Sequence, residues 1–278
     1  MILNVDLVEK FQRAVAKSKS IEDHIAKLTS ATLPGLVEYG CLRFQYPDLP
    51  AVPRPIYSSK LGLALAKIRS PLGLRAHGDQ EPSPSTITAQ DFEFIALNSN
   101  DDMTGSRWLE FGARFAFSIV QAGFHRKKAL EIAAAMGEMA DNAVCHSRSR
   151  HGILVGYQTT NDSAVCIIAD VGIGVLKSLK TNSRYKNLTL HVDAIETALK
   201  DGESRYGFGH GGTGFSTVFK NMAEANGTLR FRSGEGAISI DGKSNHFDKI
   251  IKHSVTFRPG FQVTLSCRSF ESSQEQLL

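Results

Sequence analysis

Three stretches of the chain repeat their apolar side chains every three or four positions, which is the period of an amphipathic helix. They cover residues 5–28, 106–123 and 126–146, and the last is rich in alanine. In the second stretch, Ser106 stands where a capping residue is expected. The apolar positions that follow it are Trp108, Phe111, Phe115 and Ile119. The pattern therefore predicts three helices, two of them consecutive.

Beyond residue 150 the pattern changes to short apolar runs, which are typical of strands. The first two runs cover residues 151–158 and 163–170, with Asn161 and Asp162 at the turn between them. A polar segment follows over residues 176–206. Two helices, paired strands, a helix and a final meander indicate an α+β fold rather than repeated βαβ units. The remaining predicted elements are a short helix and three strands, at residues 216–225, 227–233, 236–242 and 261–267.

Proline and glycine divide the chain unevenly. Eight of the nine prolines precede residue 85, and the run at residues 71–90 is typical of an exposed connection. Residues 36–70 show no clear pattern. The sequence therefore predicts an N-terminal accessory region over residues 1–100, a main domain over 101–270 and a short tail over 271–278.

Composition excludes several classes of protein. The chain of 278 residues is 42% hydrophobic and 22% charged, which is typical of a globular protein. No stretch approaches 18 consecutive apolar residues, and the amino end lacks the features of a secretory signal. The cysteines are scattered, which favours a reduced, cytoplasmic protein. A net charge of +4, from 32 basic and 28 acidic residues, is too small to indicate nucleic-acid binding.

The third predicted helix has a polar stripe formed by Glu138, Asn142 and His146, because residues four apart share a helical face. An amide oxygen is a hard ligand suited to Mg²⁺, and a carboxylate one turn away can orient or deprotonate a water molecule. The same pattern also suits the solvated face of an amphipathic helix. The apolar positions expected opposite this stripe are Leu130, Ala133, Ala134, Ala140 and Ala143.

Asp170 directly follows an apolar run and precedes Gly172 and Gly174. A carboxylate at the end of a buried strand accepts hydrogen bonds and can therefore bind an exocyclic amino group, such as that of adenine. Glycines beside it permit close approach of the backbone to a ligand. A plain strand end followed by a glycine turn is the alternative.

A glycine-rich run over residues 207–214 leads into the predicted helix at 216–225. Bare backbone N–H groups at the start of a helix form a phosphate cradle. The run fits the dinucleotide motif GxGxxG, but no buried strand precedes it. Residues 236–244 resemble a P-loop with incorrect spacing. The sequence therefore predicts neither a dinucleotide-binding motif nor a P-loop.

Together and in this order, the run ExxDNAxxH, the strand ending in DxGxG and the glycine-rich segment resemble the nucleotide site of the GHKL superfamily. This group includes gyrase B, MutL, bacterial histidine kinases and the anti-sigma-factor serine kinases. Asp170 follows Asn142 by 28 residues, and Gly209 follows Asp170 by 39. The resemblance covers about residues 105–267 and implies a two-layer α/β sandwich of the Bergerat type. The family's usual Gly-Thr near the last strand is Gly260-Phe261 here.

The resemblance assigns roles by position. It implies that Glu138 is the catalytic base, that Asn142 is the Mg²⁺ ligand and that Asp170 binds the adenine amino group. Gly172 and Gly174 would let the backbone pass close to ATP. The residues that would wrap the phosphates are Gly209, Gly211, Gly212, Thr213 and Gly214.

The favoured function is therefore a Mg²⁺-dependent ATPase that drives a conformational switch, with a protein partner. A serine/threonine kinase of the anti-sigma-factor type and an ATP sensor without turnover are the alternatives. A sensor histidine kinase is disfavoured, because no histidine stands in a phosphoacceptor pattern. A homodimer is possible, and residues 176–206 are expected to order only around nucleotide.

Overall fold

The computed structural model describes residues 1–52, 92–98, 100–200, 227–241 and 250–269. The predicted glycine-rich segment, the helix at 216–225 and the C-terminal tail lie outside these ranges. The described elements, in chain order, are β1 (Ile2–Leu3), α1 (Val5–Val15), α2 (Glu22–Ala26), β2 (Ser30–Ala31), α3 (Leu33–Gln45), β3 (Phe92–Leu97), α4 (Asn100–Thr104), α5 (Ser106–Gln121), α6 (Arg126–Ser147), β4 (Ile153–Thr159), β5 (Ser163–Asp170), α7 (Gly174–Leu179), a 3₁₀ turn (Ser183–Tyr185), α8 (His191–Leu199), β6 (Thr228–Asp241) and β7 (Ile250–Arg268).

A five-stranded antiparallel sheet in the order β3-β4-β5-β7-β6 forms the centre of the structure. The pairing of β4 with β5 runs from Ile153 opposite Asp170 to Thr159 opposite Ala164. The carboxyl end of β5 pairs with β7, where Asp170 lies opposite Phe261. The predicted α+β class is confirmed. Strand β3 lies before the predicted boundary at residue 100 but pairs with β4 along its full length.

The larger core lies between the sheet and helices α5 and α6. Trp108, Phe111, Phe115 and Ile119 are all buried there, as their spacing predicts. Gly105, rather than Ser106, occupies the cap position of α5, and it makes no side-chain cap bond. Because strand side chains alternate between faces, Cys166 and Ile168 of β5 point into this core together with Asp170.

Helix α3 covers the opposite face of the sheet, so the described chain has helices on both faces of one sheet. Leu33, Val37 and Cys41 of α3 pack against Ile167 and Ala169 of β5. The other side of α3 packs on α1 and α2 through Leu36, Tyr39 and Leu42, among others. The helices on this face therefore form a third layer, in addition to the helical layer and the sheet that the resemblance implies.

Several predicted boundaries were wrong. The helix expected over residues 5–28 breaks after Val15, because Ser18 adopts a left-handed conformation with φ 55°. The two strands expected over 227–242 form one strand, β6, with register shifts at Ser233, Gly234 and Gly236. The strand expected over 261–267 begins eleven residues earlier, at Ile250.

The segment expected to order only around nucleotide, residues 176–206, contains folded structure in its described part. The whole of α8 and most of α7 lie within it, and Leu179, Tyr185 and Ala194 form a small buried cluster. Burial of these apolar side chains packs the described part of the segment together, and its ordering around a nucleotide stays a prediction. Residues 201–206 lie outside the described ranges.

A buried ionic network joins the N-terminal helices to β6 and β7. The Arg232 Nε atom lies 2.6 Å from a Glu9 carboxylate oxygen, and Arg258 Nη1 lies 2.7 Å from Glu38 Oε2. Arg230 bridges both glutamates. Although burial opposes it, the three guanidiniums lower the pKa of Glu9. The pairs are shielded from water, because the side chains of Arg232, Arg258 and Glu38 have no exposed surface.

Replacing Glu38→Gln should therefore destabilise the protein strongly. The substitution preserves the shape of the side chain but leaves Arg258 and Arg230 short of a counter-charge, and removing one partner of a buried pair costs about 3–5 kcal/mol. Urea unfolding should show this loss. The control is Glu110→Gln, because Glu110 is 66% exposed and pairs with Arg114 only at the surface. Equal stabilities of the two variants would contradict the prediction.

Candidate functional site

Asp170 lies at the carboxyl end of β5, on the face of the sheet that α6 covers, and is 1% exposed. Its Oδ1 atom accepts a hydrogen bond of 2.7 Å from the backbone N–H of Gly172. The backbone N–H of Phe261 also donates to its carboxyl group. Burial nevertheless raises the pKa of Asp170 to about 7, since desolvation outweighs the two donors. A carboxyl group held in this way is a recessed acceptor with a fixed orientation.

The end of α6 contacts the loop that follows Asp170. The backbone N–H of Ile173 donates to the carbonyl oxygen of Ser147, the last residue of α6, over 2.8 Å. At Gly172, a β-carbon would lie only 2.0 Å from the same oxygen, so no larger residue fits. This contact places the end of the helix that carries ExxDNAxxH beside the DxGxG loop.

Contacts within the protein account for the presence of glycine at positions 172 and 174. Gly174 has φ +73° and lies against Gly260, while Ser233 bridges the two segments. The Ser233 hydroxyl donates to the carbonyl of Gly260 over 2.8 Å and accepts from the N–H of Val175 over 3.0 Å. That these glycines let the backbone pass close to a nucleotide stays a prediction.

Glu138 and Asn142 lie on the unbroken helix α6, where their spacing places them on one face. Glu138 is exposed and Asn142 is half-buried. Within the described residues, neither side chain makes a hydrogen bond or ion pair. With a rise of 1.5 Å per residue, Asn142 lies about 7.5 Å and Glu138 about 13.5 Å along the helix axis from Ser147.

The predicted apolar face of α6 was partly wrong. Ala140 and Ala143 are buried, but Leu130 is 54% exposed and Ala134 is also exposed. These two residues precede Glu138 by eight and four positions, so they share its stripe instead of facing it. The buried stripe is formed by Ala129, Ile132, Met136, Met139 and Ala143, among others.

The resemblance assigns a single side chain, that of Asn142, to the metal. Among the described residues, no group of three or more His, Cys, Asp or Glu side chains is placed to hold an ion. Mg²⁺ commonly binds through one or two protein oxygens together with substrate phosphates and water. One amide oxygen, that of Asn142, is consistent with this mode. Gly209, Gly211, Gly212, Thr213 and Gly214 lie outside the described residues.

Sequence reasoning missed the segment that frames Asp170 on the β7 side. The Gln262 side-chain amide donates to the carbonyl oxygen of Asp170 over 3.2 Å. Gly260 has φ +80°, and a β-carbon there would lie 2.0 Å from that same oxygen. In the sequence, Gly260-Phe261 stands out only as a departure from the Gly-Thr of the family that the chain resembles. Its position relative to Asp170 depends on strand register, which the sequence does not show.

Asp170→Asn should change how stability depends on pH. The pKa of the Asp170 carboxyl group is about 7 in the folded protein and 3.8 in the unfolded chain. Between these pH values the unfolded chain binds fewer protons than the folded protein. The wild-type free energy of unfolding should therefore lose up to about 1.4 kcal/mol per pH unit relative to the variant, up to pH 7. Urea unfolding from pH 4 to pH 8 measures this difference. Parallel curves would contradict the burial argument.

Comparison of the chain with protein-family models, with curated proteins and with solved structures finds no significant match. In the part of the chain that the structure describes, no helix is long and apolar enough to cross a membrane. The roles assigned to Glu138, Asn142 and Asp170 therefore rest on the motifs and on the arrangement of these residues.

Proposed function

We propose that the protein binds ATP with Mg²⁺ at a Bergerat-type site between α6 and the end of β5, and hydrolyses it to drive a conformational switch. The observation that carries the proposal is the contact of Ser147 with Gly172 and Ile173. It joins the helix of Glu138 and Asn142 to the strand end of Asp170. A recessed acceptor at one end and a polar helical stripe leading away from it suit an extended nucleoside triphosphate.

In this proposal Asp170 accepts a hydrogen bond from the exocyclic amino group of adenine. Its orientation is set by Gly172 and Phe261, so that little rearrangement is needed on binding. Guanine presents a carbonyl oxygen at the equivalent ring position, and above pH 7, where Asp170 is ionised, this oxygen would face a carboxylate that has no donor. The site should therefore prefer adenine nucleotides.

The two polar residues on α6 would act at the phosphates. The Asn142 amide oxygen would hold Mg²⁺, which neutralises charge on the triphosphate when bound. Glu138, one turn earlier, would orient and deprotonate the attacking water. Its exposure leaves the carboxylate accessible to a water molecule. Transfer of the γ-phosphate to a protein hydroxyl would use the same base. Hydrolysis follows when water reaches Glu138, and kinase activity follows when a protein hydroxyl does.

Calorimetry with ATP, with and without Mg²⁺, tests the binding site. We expect Mg²⁺-dependent binding by the wild type and a loss of affinity of about tenfold to a hundredfold in Asp170→Asn, since a hydrogen bond to a charged group contributes about 1.5–3 kcal/mol. GTP should bind more weakly than ATP. Circular dichroism should show that the variant remains folded. Unchanged affinity in Asp170→Asn would refute the adenine assignment, and absence of binding by the wild type would refute the site.

Phosphate release by Glu138→Ala tests the catalytic role. Loss of a general base lowers turnover by about a hundredfold or more, while ATP binding should persist. The matched control is Glu110→Ala, which removes an exposed carboxylate from the neighbouring helix α5. Equal turnover in Glu138→Ala and the wild type would exclude Glu138 as the base. Binding without release in the wild type would favour a pure ATP sensor or a missing protein substrate.

A further inference from the structure

Within the described ranges, the segment of β7 that frames Asp170 has no neighbouring strand on its β5 side. Pairing between β5 and β7 ends at Asp170 opposite Phe261, so in these ranges the β7 residues before Phe261 pair only with β6. The pairing with β6 is also interrupted there. Ser233 lies opposite Phe261 and Gly234 opposite Arg258, which leaves Pro259 and Gly260 as extra residues on β7. Bulges of this kind re-aim a strand and are common beside active sites.

The N-terminal helices hold this bulged segment at its start. Arg258 Nη1 donates to Glu38 Oε2 of α3 over 2.7 Å, and Arg258 Nη2 donates to Gln12 Oε1 of α1 over 2.7 Å. The carbonyl of Phe257 accepts from the Gln12 amide over 2.6 Å. The Arg258 side chain is fully buried, so its charge has no alternative partner in solvent.

The same segment holds Asp170 at its other end. Gly260 is in close contact with the carbonyl of Asp170, and the Phe261 N–H donates to the Asp170 carboxyl. The Gln262 amide spans the bulge, because it donates to the carbonyls of both Asp170 and Pro259. Only Pro259, whose φ is restricted by its ring, separates Arg258 from Gly260. A displacement of Arg258 therefore moves Phe261 and Gln262, the two residues of this segment that donate to Asp170.

We propose that Glu38 and Arg258 are positioning residues for Asp170, so that docking of helices α1 and α3 sets the affinity of the site for its ligand. The N-terminal helices reach the Asp170 carboxyl through the β7 bulge, while α3 also packs against the neighbouring Ala169 of β5. When they undock, the Arg258 guanidinium must turn toward water, and Gly260 and Phe261 follow it. This inference deepens the proposed function and relies on it only for the identity of the ligand.

The first test needs no nucleotide. Amide hydrogen exchange is compared in the wild type, in Glu38→Gln and in Arg258→Lys, which keeps the charge but cannot contact Glu38 and Gln12 together. The control is Glu93→Gln on the far edge strand β3, where Glu93 pairs with Arg114 and Tyr157. We expect protection of the Gly172 and Phe261 amides to fall about tenfold in the first two variants and to stay unchanged in the control.

The second test measures Mg·ATP affinity in the same four proteins. The dissociation constant should rise about tenfold in Glu38→Gln and Arg258→Lys, and stay within about twofold of the wild type in Glu93→Gln. Wild-type exchange at Gly172 and Phe261 in both network variants overturns the positioning role. Reduced protection in a protein that binds no ATP leaves that role standing and refutes the proposed function instead. If Glu38→Gln does not fold, the result for Arg258→Lys decides. An equal loss of protection in Glu93→Gln would also overturn the proposal.

Discussion

The structure depends on neutralising arginine side chains that have no access to water. Arg232 and Arg258 stand on neighbouring strands of the sheet and would repel each other without Glu9, Glu38 and Gln12. Desolvation and the neighbouring Arg258 lower the pKa of Arg232, which shows the strain that the glutamates offset. Burying such charges is tolerated only with close partners and good geometry. The N-terminal helices are therefore a structural requirement of the sheet as well as a cover for its apolar face.

Because the buried arginines need counter-charges, the two faces of the sheet differ in what they bury. One face packs apolar side chains under α5 and α6 and ends at Asp170, which is the recessed acceptor of the candidate site. The other face carries the ionic network beside a small apolar cluster that includes Cys41 and Ala169. The end of β5, at Asp170, is in contact with groups from both faces. Whatever binds at Asp170 meets a group whose surroundings are set by the opposite face.

The pattern predicts helices α5 and α6 because one face of each meets the core and the other does not, which gives a clear period. It predicts β5 because both faces of that strand are buried, so that apolar residues run continuously along it. Helix α3 was missed because Leu36 and Leu42 face α1 and α2 while Leu33 and Val37 face the sheet, so apolar residues surround it. Thr32 and Pro34 were the available start signal, since the Thr32 hydroxyl caps α3.

The ionic network could not be predicted, because its partners are far apart in sequence: 220 residues separate Glu38 from Arg258. This separation also bears on how the chain folds. The helices that carry Glu9 and Glu38 are synthesised before β6 and β7, which carry their counter-charges. Contacts between distant residues form slowly, since the intervening loop must close before they contribute. Docking of the N-terminal helices is therefore expected to be a late folding step, and it completes the surroundings of Asp170.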